Sequence, residues 1–418
     1  MPHQSLMEGV LKPGNARPVI LAVCLLILPL RKTDAEDRAD FKFSYYLEDH
    51  HRTEAFSPAL LIETDLTPNT ILTIQSVYDV ISGATPTGEP MKRKTREVVV
   101  EVPTAQTSYV AVSGASGQGT TLVPVASSAT TTQTTLEEYG KPYLPMADYE
   151  DQRWALNLGL RHRHGEWVVD AGMAYSTESD YHSITESLIV SRDFNERMTT
   201  LSLGASLTQD NVRDTPTGDW LDKDTVEGQV QIAQVIDPFT LLKVSFVAGT
   251  SWGYLDDQYK FVLLNNEVID EKRPDSRDKQ IIYTSLNRFI DPLNGALEAS
   301  YRFYTDTYGI DAHTFGLDWF QNLGPKLILV PGVRYYEQSA ADFYATKFTG
   351  NPKAYSADYR LSKMGSVTYG LKLIWKVNDK FWADLAYDRY SQFGRDKETP
   401  AETYPEANVV TLGFKVWF

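Results

Sequence analysis

From residue 41 onward the chain alternates between apolar and polar positions. Phe41, Phe43, Tyr45 and Leu47 interleave with Lys42, Ser44, Tyr46 and Glu48. Trp154, Leu156, Leu158 and Leu160 interleave with Arg153, Ala155, Asn157, Gly159 and Arg161, and Leu201, Leu203, Ala205 and Leu207 with Thr200, Ser202, Gly204, Ser206 and Thr208. The same pattern returns at Leu297, Ala299, Tyr301 and Phe303, and again at Val367, Tyr369, Leu371, Leu373 and Trp375. Period two places one apolar and one polar face on an extended strand. Strands of soluble sandwiches run about five or six residues. These runs last roughly ten to thirteen, close to the length a tilted strand needs to cross a bilayer.

Sixteen such segments are predicted, over residues 41–51, 56–66, 70–82, 149–162, 166–177, 181–192, 198–210, 224–236, 240–254, 280–290, 295–307, 310–322, 326–338, 364–377, 380–391 and 407–418. Alternation is blurred in 181–192 and 280–290, so fourteen to eighteen strands fit the pattern. The connectors alternate too. One set is short and turn-like, such as Arg163-His164-Gly165, Asp237-Pro238, Asp291-Pro292-Leu293-Asn294 and Gly324-Pro325. Pro presets φ there, while Asn, Asp and Gly tolerate tight geometry. The other set is mostly longer and polar, at 83–147, 211–223, 255–279, 339–363 and 393–406. Short turns at one end and long loops at the other describe an all-β, transmembrane, antiparallel up-and-down barrel, with both termini on the short-turn side.

The last strand sharpens this reading. Val410, Leu412, Phe414, Val416 and Phe418 alternate to the terminal residue, which resembles the assembly signal of outer-membrane barrels read by the barrel-insertion machinery. A soluble edge strand would carry Lys, Pro or a bulge against aggregation. Lys415 falls on the opposite face and gives this one no such protection.

Composition at first points elsewhere. The 418 residues carry a net charge of −15, 42% hydrophobic residues and a mean hydropathy of −0.32. The longest apolar run, Val19–Leu30, is shorter than the roughly 20 residues a membrane helix needs. The acidic balance excludes a phosphate-neutralising nucleic-acid binder. One cysteine, Cys24, excludes a disulfide framework, an iron–sulfur site and a cysteine-rich zinc site. No Walker loop, GxSxG elbow or dinucleotide fingerprint is present, so no cofactor is expected. Lys12 and Arg17 before Val19–Leu30 read as a signal peptide over residues 1–35, cleaved near Ala35. Leu21-Ala22-Val23-Cys24 makes a poor lipidation motif. Residues 36–418 then form the barrel with net charge −17, and hydropathy is low because each outward apolar residue is averaged with an inward polar one.

A closed sheet turns its polar face inward. Glu63, Asp79, Arg153, Arg161, Asp170, Lys243, Glu298, Arg302, Arg334, Lys372 and Asp384 are the charged candidates for the lumen. Both signs occur, so ion preference is not legible. Aromatic residues near strand ends, among them Tyr45, Trp154, Trp167, Tyr175, Trp252, Trp375 and Trp417, suit interfacial girdles. Residues 83–147 read as one long irregular loop, extracellular or plugging the lumen, with a basic run at 91–96, a Ser/Thr/Gly tract at 113–135 and a possible short strand at Glu97–Val102. Its exterior partners would be lipid and lipopolysaccharide. At the rim, Glu48-Asp49-His50-His51 and Asp180-Tyr181-His182 offer acid and imidazole groups of the kind that activate water, although sequence spacing says nothing of their proximity.

Tyr45–Asp49, the run Val77–Gly88 with its Ser-Gly-Ala-Thr-Pro core, Pro145–Arg153, Ser176–Tyr181 and Asp193–Asn195 resemble a bacterial outer-membrane family catalogued as domain of unknown function 3570. The similarity spans the region after residue 35 and departs in the insert between Pro90 and Tyr143. The resemblance implies an outer-membrane barrel. It also implies possible partnership with periplasmic thiol-redox or flavin-transfer proteins, and supplies no catalytic residues. The reading is therefore a barrel in a bacterial outer membrane passing small polar solutes. The alternatives are a scaffold for extracytoplasmic redox proteins and a rim-located hydrolase.

Overall fold

The computed structural model describes residues 37–113, 120–215 and 218–418. The segment expected to be a signal peptide, residues 1–35, and with it Cys24, lies outside the described residues. Strands follow in the order β1 (Arg38–Glu48), β2 (Thr53–Thr67), β3 (Thr70–Pro86), β4 (Lys92–Ser113), β5 (Thr120–Tyr143), β6 (Met146–His164), β7 (Trp167–Thr177), β8 (Tyr181–Phe194), β9 (Thr199–Arg213), β10 (Trp220–Asp237) and β11 (Thr240–Gly253). They continue with β12 (Phe261–Leu264), β13 (Glu267–Asp270), β14 (Ser276–Ile290), β15 (Gly295–Asp306), β16 (Asp311–Asn322), β17 (Leu327–Gln338), β18 (Lys347–Phe348), β19 (Met364–Asn378), β20 (Phe381–Gly394) and β21 (Glu406–Trp417).

Sixteen of them close into one antiparallel barrel in the ring order β1-β2-β3-β6-β7-β8-β9-β10-β11-β14-β15-β16-β17-β19-β20-β21. These are the sixteen segments that the alternation marks, including the two where it is blurred. The ring shuts where the first strand meets the last, with Phe41 opposite Phe414 and Tyr45 opposite Val410. Short turns join neighbours at one end, one of them closed by Asn294 in the left-handed region at φ 46. No helix among the described residues is long and apolar enough to cross a membrane.

The outer face is apolar and uncovered. Leu158, Met173, Leu188, Leu203, Leu207, Ile232, Leu317, Leu371 and Leu385 are all exposed. A soluble monomer rarely shows a continuous apolar surface of this extent. On β7 the exposed rings of Trp167 and Tyr175 stand at opposite ends of the apolar run. Eight steps of about 3.4 Å, tilted by about 40°, give roughly 21 Å of height, close to the ~25 Å apolar band of an outer-membrane barrel. Trp417 departs from its expected place in the girdle. Outward alternation ends on Phe418, so parity turns Trp417 inward, where its ring packs 5.2 Å from Trp382, edge to face.

Between β3 and β6, where composition points to an irregular loop, β4 and β5 form a separate two-stranded ribbon paired from Lys92↔Tyr143 to Ser113↔Thr120. Its Thr and Val content favours extended backbone, and a ladder of backbone bonds needs no core of its own to form.

The mouth opposite the turns is crossed by two other loops. Residues 254–275 join β11 to β14 and carry β12 and β13, while residues 339–363 join β17 to β19 and carry β18. β13, β12 and β18 make a small sheet of their own. The Phe261 N–H donates to the Thr87 carbonyl at 2.7 Å, just beyond the end of β3. β3 and β11 stand six places apart in the ring of sixteen. The 254–275 loop therefore reaches across the opening to a distant part of the rim. Gly88 permits this approach, since at φ +89 a Cβ would lie 2.5 Å from the Phe261 carbonyl oxygen. Tyr308, Ile310, Ala312, Ala341, Phe343 and Leu361 form the apolar core beneath this cap.

The two faces make a stability test. Leu203→Arg, outward in the apolar belt, is expected to cost roughly 2–4 kcal/mol of folding free energy in lipid. Ser206→Arg, inward beside Glu227, should cost less than about 1 kcal/mol. Denaturant titration in vesicles measures both, and equal losses would show the faces to be wrongly assigned.

Candidate functional site

The inner wall is a ladder of polar groups set by strand register. Directly opposed positions bring Arg153 to Asp79 at 2.7 Å, Arg161 to Asp170 at 2.6 Å and Glu63 to Arg38 at 2.6 Å. Lys372 reaches the diagonal Asp384 at 3.0 Å. Lys243, Glu298, Arg302 and Arg334 share the same inner face, opposite residues such as Ser285, Asn287, Tyr283 and Thr368 respectively. Among the described residues these four have no ion-pair partner. Arg302 lies over the Tyr304 ring at 5.2 Å.

Under the cap the lumen holds a chamber of about 800 Å³. On one wall, Asp151 from β6 and Glu178 and Asp180 from the β7–β8 loop bring carboxylate oxygens within 4.8 Å of one another. Asp180 accepts hydrogen bonds from Gln258 and, at 2.9 Å, from the Tyr259 hydroxyl, both on the crossing loop. Burial pushes the Glu178 carboxyl up, and the adjacent Asp151 charge adds to it. The trio is an all-oxygen set of the type that suits Ca²⁺ or Mg²⁺. The other wall carries Arg277, Lys279 and Arg302. Arg277 pairs with Asp306 at 2.5 Å and sits 4.6 Å from the Tyr308 ring, and Lys279 pairs with Glu227 at 2.5 Å.

The cap itself is held by buried charge. Lys260, 1% exposed, donates to the Pro86 carbonyl at 2.6 Å and the Thr85 hydroxyl at 2.8 Å. Asp358, equally buried, accepts from Arg273 at 2.9 Å and Arg360 at 2.6 Å, while Glu271 pairs with Arg273 at 2.6 Å and Arg360 also reaches Asp257. Burial pushes Lys260 down to about 8, against the pull of Asp358. Burial pushes Glu271 up to about 7, against Arg273 and a hydrogen bond from Ser356. Burial alone would also raise Asp358, but Arg360, Lys260 and Arg273 hold it far below the usual carboxylate range. Sequence reasoning passed over Lys260, Glu271 and Asp358 because charged residues in a polar loop read as solvated. The available signal was Phe261-Val262-Leu263-Leu264, an apolar run inside that loop, whose Val262 is fully buried.

The rim residues considered for hydrolysis are engaged separately. Asp49 forms a two-pronged bond with Arg389 at 2.7 Å, His51 contacts Glu54 at 2.7 Å, and His182 contacts the Thr177 hydroxyl at 2.8 Å and stacks on Trp220. Asp180 bonds the crossing loop, and Asp49 is held by Arg389, with His50 acting on it only as a nearby charge.

Sequence comparison places this geometry in a family. The profile described as "Protein of unknown function (DUF3570)" matches residues 24–221 and 213–411. The chain belongs to the DUF3570 family. No protein of curated function matches the sequence of this DUF3570 chain. Its fold is similar to a bacterial polysaccharide outer membrane secretin (10% identity, TM-score 0.45, covering 93% of this chain and 100% of that one). It is also similar to OccK5 (OpdH) of Pseudomonas aeruginosa (7%, 0.41, 92% and 98%) and to CdiB from Acinetobacter baumannii (8%, 0.48, 92% and 60%). Identities and scores this low transfer no activity.

The buried charges predict a pH signature for the DUF3570 cap. Glu271 binds its proton more tightly folded than unfolded, so raising pH from its ordinary 4.5 to about 7 costs the cap stability. Lys260 releases its proton at about 8 when folded and at about 10.5 when unfolded, so stability returns across that interval. Hydrogen-exchange protection of residues 254–275, corrected for intrinsic rates, should pass through a minimum between pH 7 and 8. Glu271→Gln should flatten the acid limb alone.

Proposed function

We propose that the protein resides in a bacterial outer membrane and passes small polar solutes through the barrel, with the 254–275 and 339–363 loops narrowing the entrance. The observation that carries this reading is the inner wall. Charges of both signs face inward along the strands and open, under the cap, into the chamber of about 800 Å³. Charged groups facing an interior require water or opposite charge, and a sixteen-strand ring is wide enough to hold an aqueous channel. The apolar outer belt supports the membrane location, with lipid and lipopolysaccharide as its surroundings. The outward row Val410, Leu412, Phe414, Val416 and Phe418 on and just after β21 supports delivery by the barrel-insertion machinery.

Planar-bilayer recording tests the pore. Folded protein should give discrete conductance steps. Lys260→Ala combined with Asp358→Ala, which unfastens the cap, should raise the step size at least twofold. Absence of steps from both proteins, each shown to be folded by heat-modifiable gel migration, would end the reading.

A further inference from the structure

The ribbon of β4 and β5 is a sheet of two strands alone, separate from the barrel and from the small sheet of the cap. We propose that it joins two copies of this chain in one membrane, one face of each ribbon stacking on the same face of the other. Such pairing goes beyond the pore reading and does not depend on it.

Register sorts the ribbon into two unlike faces. Neighbouring residues along a strand fall on opposite faces, and residues paired across the ladder share one. Val110 is paired with Val123, Val100 with Gln133, Val102 with Thr131, Ser108 with Val125 and Val112 with Thr121. One face therefore carries six valines. Its other positions in 100–112 and 121–133 are Thr, Ser, Gln and Ala, and none is charged. The opposite face carries Glu101 and both prolines, Pro103 and Pro124. A ladder of two strands can form alone, but it holds only marginally in water until a face is packed.

Charge points to a second copy as the occupant. Residues 92–143 contain five basic and four acidic side chains, whereas the whole chain has a net charge of −15. From Val102 to Leu136 no residue is charged. Two acidic chains repel on close approach, and the ribbon is where they meet without that cost. The flanking strands β3 and β6 both reach the mouth at this end, so two barrels in one membrane present their ribbons on the same side. A two-fold axis along the membrane normal then brings valine face to valine face, β4 of each copy over β5 of the other. Sheets stack in this way about 10 Å apart, with β-branched side chains interdigitating. Residues 100–112, at about 3.4 Å each, and two strands about 4.8 Å apart give a footprint of roughly 440 Å² per copy, or about 900 Å² over both. That size belongs to weak association that depends on concentration.

Sedimentation equilibrium of the full protein in density-matched detergent tests the contact. The mass should rise from one copy to two as concentration increases. Val110→Lys combined with Val123→Lys puts like charges face to face and should weaken the dimer at least tenfold. Ala105→Lys combined with Ala126→Lys adds the same charge to the opposite face and should leave the dimer within about twofold of the parent. Heat-modifiable migration confirms a closed barrel in each variant. In proteoliposomes of the Cys24→Ser chain, Val100→Cys should be crosslinked to a second copy by a short bis-maleimide, and Val99→Cys much less. A single-copy mass at every concentration, equal weakening by both lysine pairs, or equal crosslinking at 99 and 100 would overturn the proposal. So would a protein of single-copy mass that binds lipopolysaccharide micelles and loses them in the Val110→Lys, Val123→Lys variant, because lipid would then cover the face.

Discussion

Closure of the hydrogen-bond ladder is the constraint on which the rest of the structure depends. A sheet with an apolar outer face has no water on that side to satisfy a free edge, and each unpaired peptide group in hydrocarbon costs several kcal/mol. The pairing of β1 with β21 removes both edges at once. Closure also disposes of the polar face. Every second residue of sixteen strands must point into a shared interior, so the inner wall becomes a charged and hydroxyl-lined surface without any further selection of fold.

Within that interior, register decides which charges neutralise and which stay available. Arg153 with Asp79 and Arg161 with Asp170 are directly opposed residues and saturate each other as part of the wall. Arg302 is opposed by Tyr283 and Thr314, neither of which can take its charge. Whether a wall charge is neutralised is thus a matter of what stands across the ladder. The cap adds a second kind of electrostatics. Lys260, Glu271 and Asp358 are taken out of water altogether, and such groups are tolerated because Arg273, Arg360 and backbone carbonyls complete their shells. Breaking one partner would leave its mate stranded, which makes the cap cohesive and pH-dependent together.

Legibility followed the same divide. All sixteen barrel strands were readable, because period two is a local property and a one-residue slip would reverse every face. The inward parity of Trp417 was equally local, and its assignment to a girdle overlooked the alternation that ends on Phe418. Residues 83–147 read as irregular apart from a short strand at Glu97–Val102, yet β4 and β5 within them pair as a ribbon. The crossing loops were recognised as long and polar but not as the cover of the mouth. Asp257 and Arg273 look solvated in sequence, and their long-range partners, Arg360 and Asp358, lie about a hundred positions away.

By itself the sequence determined the class of the molecule: a closed antiparallel barrel of about sixteen strands, which face of each strand is apolar, and where the short turns lie. Those are consequences of spacing along one chain. Only the tertiary structure decided which loops cross the opening and which charged groups they bury against one another. These depend on distances between strands as far as six places apart in the ring, and no periodicity in the chain encodes such a distance.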